Sequence, residues 1–162
     1  MHGYALRACI ALGLGPLWQV ASSQLYQVLH RLEKRGCVCR SSQAPSAGPS
    51  KRVYHVTGKG EEAFWEWAQE PVGTMRNIRV EFAAKLYFLR RQKLGAVSPF
   101  IDRQLSELRR VKGRLSSEAR TSSDDADLNA AWLTLQLATV DNFSRWLKAH
   151  REQLSTDKEK KA

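Results

Sequence analysis

The chain has 162 residues, 43% of them hydrophobic, and a formal net charge of +10, enough for one ordinary domain with a buried core plus an appendage. The charge is uneven: residues 1–60 hold eight Lys/Arg against one carboxylate, Glu33 (formal +7), whereas residues 61–162 hold eighteen against fifteen (+3), so the first third is expected to meet a polyanion. No apolar run reaches the roughly 18 residues of a membrane span, no signal-peptide pattern opens the chain, and three cysteines without CxxC spacing (Cys9, Cys37, Cys39) do not suggest a secreted disulfide framework, which together predict a cytoplasmic protein without a membrane partner.

Gly3 to Leu14 reads as a helix with a broad apolar face (Tyr4, Ala5, Ala8, Cys9, Ala11, Leu12), ended by Gly13, Gly15 and Pro16. Ser22 or Ser23 is expected to cap the next helix, whose buried stripe is Leu25, Val28, Leu29 and Leu32 and whose stop is Gly36. Cys37–Arg40 reads as a short strand, with Cys37 and Cys39 on one face as small apolar fillers. Ser41–Ser50 is a Ser/Pro/Gly-rich tip, and Arg52–Val56 is the returning strand, with Val53 and His55 on one face and Tyr54 and Val56 on the other. Thr57 caps a helix that runs through Phe64, Trp65, Trp67 and Ala68 to Pro71.

Beyond that point the pattern is helical throughout. Met75, Ile78, Phe82, Leu86 and Leu89 mark one face, broken by Gly95 and Pro99. Ile101, Leu105, Leu108, Val111 (or Lys112) and Leu115 mark a second helix at near-heptad spacing. After a polar break, where Asp124 or Asp125 can cap, Leu128, Trp132, Leu135, Val140, Phe143, Trp146 and Leu147 mark a third. The charged tail from Ser155 is expected to fray. The fold class is therefore mainly α with a small β-hairpin.

His2-Gly3-Tyr4, Leu25-Tyr26-x-x-Leu29-x-x-Leu32-Glu33-x-x-Gly36 and Tyr54-x-x-Thr57-x-x-Gly60 resemble the PadR family of bacterial transcriptional regulators. The resemblance is clear over about residues 1–70. It implies a winged helix-turn-helix DNA-binding domain (1–70), a helical dimerisation region (71–154) followed by the tail (155–162), a homodimer, and repression relieved by a small, commonly phenolic or drug-like effector. The sequence departs from the family in three ways. A helix of a dozen or so residues usually precedes His-Gly-Tyr, whereas here Met1 already stands at that point, which leaves open whether the true start lies upstream. Gln27 stands where many members carry Pro, and Cys37 and Cys39 replace the usual strand residues.

A basic helix followed by a basic hairpin suits duplex DNA. Off the apolar stripe lie Ser22, Ser23, Gln24, Gln27, His30, Arg31 and Lys34. Gln24 or Gln27 can bond adenine bidentately, and Arg31 can reach guanine or phosphate. Ser22, Ser23 and Lys34 suit phosphates, which hold register without reading sequence. Tyr26 is either core or, in line with the family, a hydroxyl to phosphate. The wing supplies Arg40, Lys51 and Arg52 for phosphates or a narrow minor groove, unless that loop is merely a solvated basic one. Trp132 and Trp146, about four turns apart on the last helix, are candidates to hold a flat aromatic effector; the alternative is that they fill core and dimer interface.

Nothing points to an enzyme or a cofactor. His2, His30, His55 and His150 are scattered without metal-ligand spacing, and there is no GxGxxG, P-loop or nucleophile elbow. Two other readings compete with the regulator: a helical adaptor that binds another protein with impaired DNA binding, and a redox-sensing repressor using Cys37 and Cys39.

Overall fold

The computed structural model describes residues 5, 6, 8, 10, 21–42, 52–74, 77–121 and 126–156. Ala5, Leu6, Ala8 and Ile10 are helical. The rest of that expected helix, the hairpin tip with Lys51, Met75, the Asp124/Asp125 cap and the end of the tail lie outside the described residues. The chain divides into two compact units, Met1–Trp67 and Ala68–Ala162.

In the first unit, helix α1 spans Ser22–Lys34. Leu25 and Leu29 are its buried residues, and the remaining faces carry the polar side chains. Its start corrects the sequence expectation. Ala21, extended at φ −66° and ψ 144°, holds the cap position without a side-chain bond, and its carbonyl accepts the Leu25 N–H at 3.0 Å. Ser22 and Ser23 are thus already helical. The end is as expected: Gly36 sits at φ +73°, where L-residues are disfavoured. The turn is closed by Gly36 N–H to Glu33 O and Cys37 N–H to Leu32 O, both 2.9 Å, which satisfies two helix-end carbonyls.

Because Cys37 is used in closing the helix, strand β1 runs over Val38–Ser42 rather than from Cys37. It pairs antiparallel with β2 (Arg52–Val56), Val38 opposite Val56, Arg40 opposite Tyr54 and Ser42 opposite Arg52. Cys39 is exposed and Cys37 half-buried, so Cys39 is not a core filler. Helix α2 follows over Gly58–Gln69. Helix, two-stranded antiparallel hairpin and helix in this order form a winged-helix arrangement.

In the second unit, a five-residue π-turn (Ile78–Phe82) leads into α3 (Ala83–Gln92), a 3-10 turn (Leu94–Ala96), α4 (Val97–Thr121) and α5 (Ala126–Ser155). Pro99 does not break a helix. It lies in the first turn of α4, where N–H groups have no intrahelical partner to lose; the break is Lys93–Ala96. Ile101, Leu105, Leu108, Val111 and Leu115 are all buried, as their spacing predicts. Phe82 stacks on Phe100 with centroids 5.3 Å apart and meets Phe143 edge-on at 5.1 Å. The ion pairs Lys112–Asp141 and Arg151–Asp102, each 2.6 Å, tie α4 to α5 in antiparallel register.

Val140 and Leu147 are buried on α5, but Leu128, Trp132 and Leu135 are 83%, 58% and 56% exposed. The apolar stripe of α5 therefore packs on α4 only over its second half. Gln104 is fully buried, and its amide bonds both backbone groups of Val72: Val72 N–H to Oε1 at 2.7 Å and Nε2 to Val72 O at 3.0 Å. Lys85 is buried as well, donating to Glu70 O at 2.9 Å and pairing with Glu81 at 3.0 Å. No helix among the described residues is long and apolar enough to cross a membrane.

Candidate nucleic-acid interface

The hairpin is fastened to α1 by one residue and one gap. The Thr57 hydroxyl donates to Gly36 O at 2.7 Å and accepts from Gly60 N–H at 3.1 Å, while Thr57 N–H donates to Cys37 O at 3.1 Å. A single side chain thus caps α2 and grips the turn that ends α1. The gap is Gly60. A Cβ there would stand 1.9 Å from Cys37 O and 2.8 Å from its carbonyl carbon, distances no side chain tolerates. Thr-x-x-Gly is therefore a requirement of close backbone approach, and it sets the wing against α1.

On this frame α1 presents its polar residues. Ser22, Ser23, Gln24, Gln27, His30, Arg31 and Lys34 are all exposed, and Tyr26 is 49% exposed. At 100° per residue, Ser23, Gln27, His30, Arg31 and Lys34 fall within about 100° of one another, opposite Leu25 and Leu29. Gln24 lies on one flank of that face and Tyr26 on the other. Arg31 and Lys34 stand in the last turn of the helix.

The wing candidates differ. Arg52 opens β2, and Lys51 lies outside the described residues. Arg40, on β1, is engaged: its Nε donates to Glu33 Oε1 at 2.5 Å. Glu33 also faces His30 Nδ1, 3.8 Å away. In the sequence Glu33 stands out as the one carboxylate in residues 1–60 and a motif residue, but nothing there pairs it with the wing.

Trp132 and Trp146 do not share a site within one chain. Fourteen residues of α5 separate them by about 21 Å. Trp146 stacks on Phe143 and His150, centroids 6.0 and 4.9 Å apart. Trp132 lines a cavity of about 600 Å³ with Leu135, Gln136 and Thr139 of α5 and Val111 and Arg114 of α4. Among the described residues, no group of three or more His, Cys, Asp or Glu is placed to hold a metal ion.

Residues 1–66 match the family model of the Transcriptional regulator PadR-like family. Over that region the chain is similar to PadR-like regulators. The matched span takes in α1, the hairpin and the Thr57–Gly60 fastening, and the family is one of transcriptional regulators, not enzymes. No curated protein matches. Among solved structures, Bacillus subtilis PadR in complex with operator DNA is 20% identical at a TM-score of 0.44, covering 95% of this chain and 91% of that one. A PadR-like transcriptional regulator from Bacillus cereus is 19% identical at 0.41, covering 95% and 87%. The Bacillus subtilis protein in complex with p-coumaric acid is 20% identical at 0.39, covering 97% and 88%.

Proposed function

We propose that this chain is a sequence-specific DNA-binding regulator, acting as a homodimeric repressor that a small aromatic effector releases. The DNA-binding domain is residues 1–70, the dimerisation region 71–154 and the charged tail 155–162. The observation that carries the reading is the exposed polar face of α1 beside a basic hairpin, fastened through Gly36, Thr57 and Gly60, within the PadR-like span. Gln24 and Gln27 read bases; Ser22, Ser23, Tyr26, His30, Arg31 and Lys34 meet phosphates or base edges, and Lys51 and Arg52 act from the wing. The related structure with operator DNA is in line with this partner.

The exposed Leu128, Trp132 and Leu135 support dimerisation, because they form an apolar stripe at helical spacing that the described residues of this chain leave exposed. A two-fold dimer sets two recognition helices about one DNA turn apart on a pseudo-palindrome. The cavity beside Trp132 offers an indole face and the Arg114 guanidinium, which suits a small aromatic acid; the related structure with p-coumaric acid is consistent with that class.

The test is selection of bound duplexes from a random pool, followed by gel shifts against the selected and a scrambled sequence at two salt concentrations. Enrichment of a pseudo-palindrome with salt-sensitive binding is expected. Absence of enrichment and of salt-sensitive binding refutes the proposal and favours the adaptor reading, in which the same exposed stripe docks another protein. Leu135→Glu, at an exposed position, should leave the helical signal intact and yield monomers in sedimentation.

A further inference from the structure

We propose that Glu33 is an affinity-limiting residue of the DNA surface: it withholds the Arg40 guanidinium from the DNA backbone and so holds down binding to every duplex. This rests on the DNA-binding reading above. Within residues 1–60 every other formal charge is positive, an arrangement that by itself favours any duplex, since phosphate contacts carry no sequence information. Glu33 sits on the last turn of α1, and Arg40 reaches it from β1. Their contact, Nε to Oε1 at 2.5 Å, uses a directional donor of the guanidinium. The pair is accessible rather than buried, with side chains 43% and 22% exposed for Arg40 and Glu33. It is therefore weak enough to be a brake on Arg40 rather than a keystone of the fold.

The position of the contact matters as much as its charge. Glu33 also stands 3.8 Å from His30 Nδ1, so one carboxylate faces cationic or potentially cationic groups on both the recognition helix and the wing. A phosphate approaching this corner meets a negative charge and a guanidinium already in use. The restraint therefore acts on the backbone-directed part of binding, which every sequence shares.

The experiment compares the wild-type chain, Glu33→Gln, and the Glu33→Gln/Arg40→Gln double variant on the selected duplex and on a scrambled one, each titrated with salt. Glu33→Gln is expected to tighten binding to scrambled DNA by up to about fivefold at low salt, the scale of one exposed charge pair. Its salt slope should steepen by about 0.9, one further phosphate engaged. The selected duplex should gain by the same factor, and removal of Arg40 in the double variant should cancel both gains. A gain confined to one duplex, or no gain on either, would overturn the proposal. So would weaker binding of Glu33→Gln to both, because Glu33 would then be a positioning residue that holds the wing in place. A wild-type chain that binds neither duplex removes the DNA reading and this inference with it.

Discussion

Replacing Gly60 by Ala isolates the close approach between α2 and the end of α1. In an ordinary helix interior the change would stabilise by roughly 1 kcal/mol. Here the new Cβ would lie 1.9 Å from Cys37 O, and ordinary contact begins at 3.4 Å, so the two backbones must separate by about 1.5 Å. That movement carries Thr57 away from Gly36 and Cys37, stretching the bonds now at 2.7 and 3.1 Å beyond hydrogen-bonding range. Two lost bonds at about 1 kcal/mol each, plus strain in the hairpin, outweigh the propensity gain and give a net loss of about 2–3 kcal/mol. Gly58→Ala is the control. It lies two residues earlier in the same helix with nothing within 4 Å of its added Cβ, and should be neutral or stabilising by up to about 1 kcal/mol. Urea unfolding followed by far-UV circular dichroism measures both, and amide exchange across Val38–Ser42 locates the loss. Equal stability of the two variants, or a Gly60→Ala protein as stable as wild type, would refute the argument that the glycine is required by the Cys37 carbonyl.

Other outcomes follow from the same geometry. Gln104→Leu should cost about 3 kcal/mol, because it strands the buried N–H and C=O of Val72 without the amide that now bonds both; urea midpoints read this. The Arg110 side chain, bonded to Glu107 at 2.6 and 2.8 Å, holds the Glu107 carboxyl below the usual carboxylate range. The stability from this contact is therefore present above the ordinary carboxylate value and lost as pH falls through the lowered one, and Arg110→Gln should raise the Glu107 titration in carboxyl-detected NMR. Arg52→Ala should weaken binding to every duplex and flatten the salt slope by about 0.9. Gln24→Ala and Gln27→Ala should instead relax preference at one base position each, and identical losses on selected and scrambled DNA in both would refute base reading by those amides.

Periodicity made much of this fold legible. Leu25 and Leu29 and the Leu105–Leu108–Leu115 series record one face turned to a core, whereas the alternation of Arg52–Val56 marked a strand without a buried face, Val56 being 68% exposed. Glycine chemistry marked the end of α1. What escaped was set by partners distant in sequence. Gln104 and Lys85 are polar residues on helices, and burial follows only because Val72 and Glu70 present backbone groups to them. The start of β1 was misjudged by one residue because Cys37 serves the helix end before the strand. On α5, apolar spacing alone does not say which chain covers a stripe, so Leu128, Trp132 and Leu135 looked like core residues of this chain and are exposed. The pairing of Glu33 with Arg40 was not legible because the two lie on different elements and no local spacing links them.

The candidate interface separates shape from charge. Its shape depends on backbone: the Gly36 turn, the Cys37 carbonyl and the Thr57 hydroxyl fix where the wing leaves α1, and none of these groups carries charge. Its charge depends on side chains free to reorient, with Glu33–Arg40 the one ion pair that crosses from α1 to the wing among the described residues. Substitutions of the first kind should alter folding stability, with DNA affinity lost as a consequence. Those of the second kind should alter affinity and its salt dependence while leaving the unfolding midpoint within about 1 kcal/mol of wild type. Gly60→Ala and Glu33→Gln therefore belong at opposite corners of a plot of stability against affinity, which is a stronger constraint on the proposed arrangement than either measurement alone.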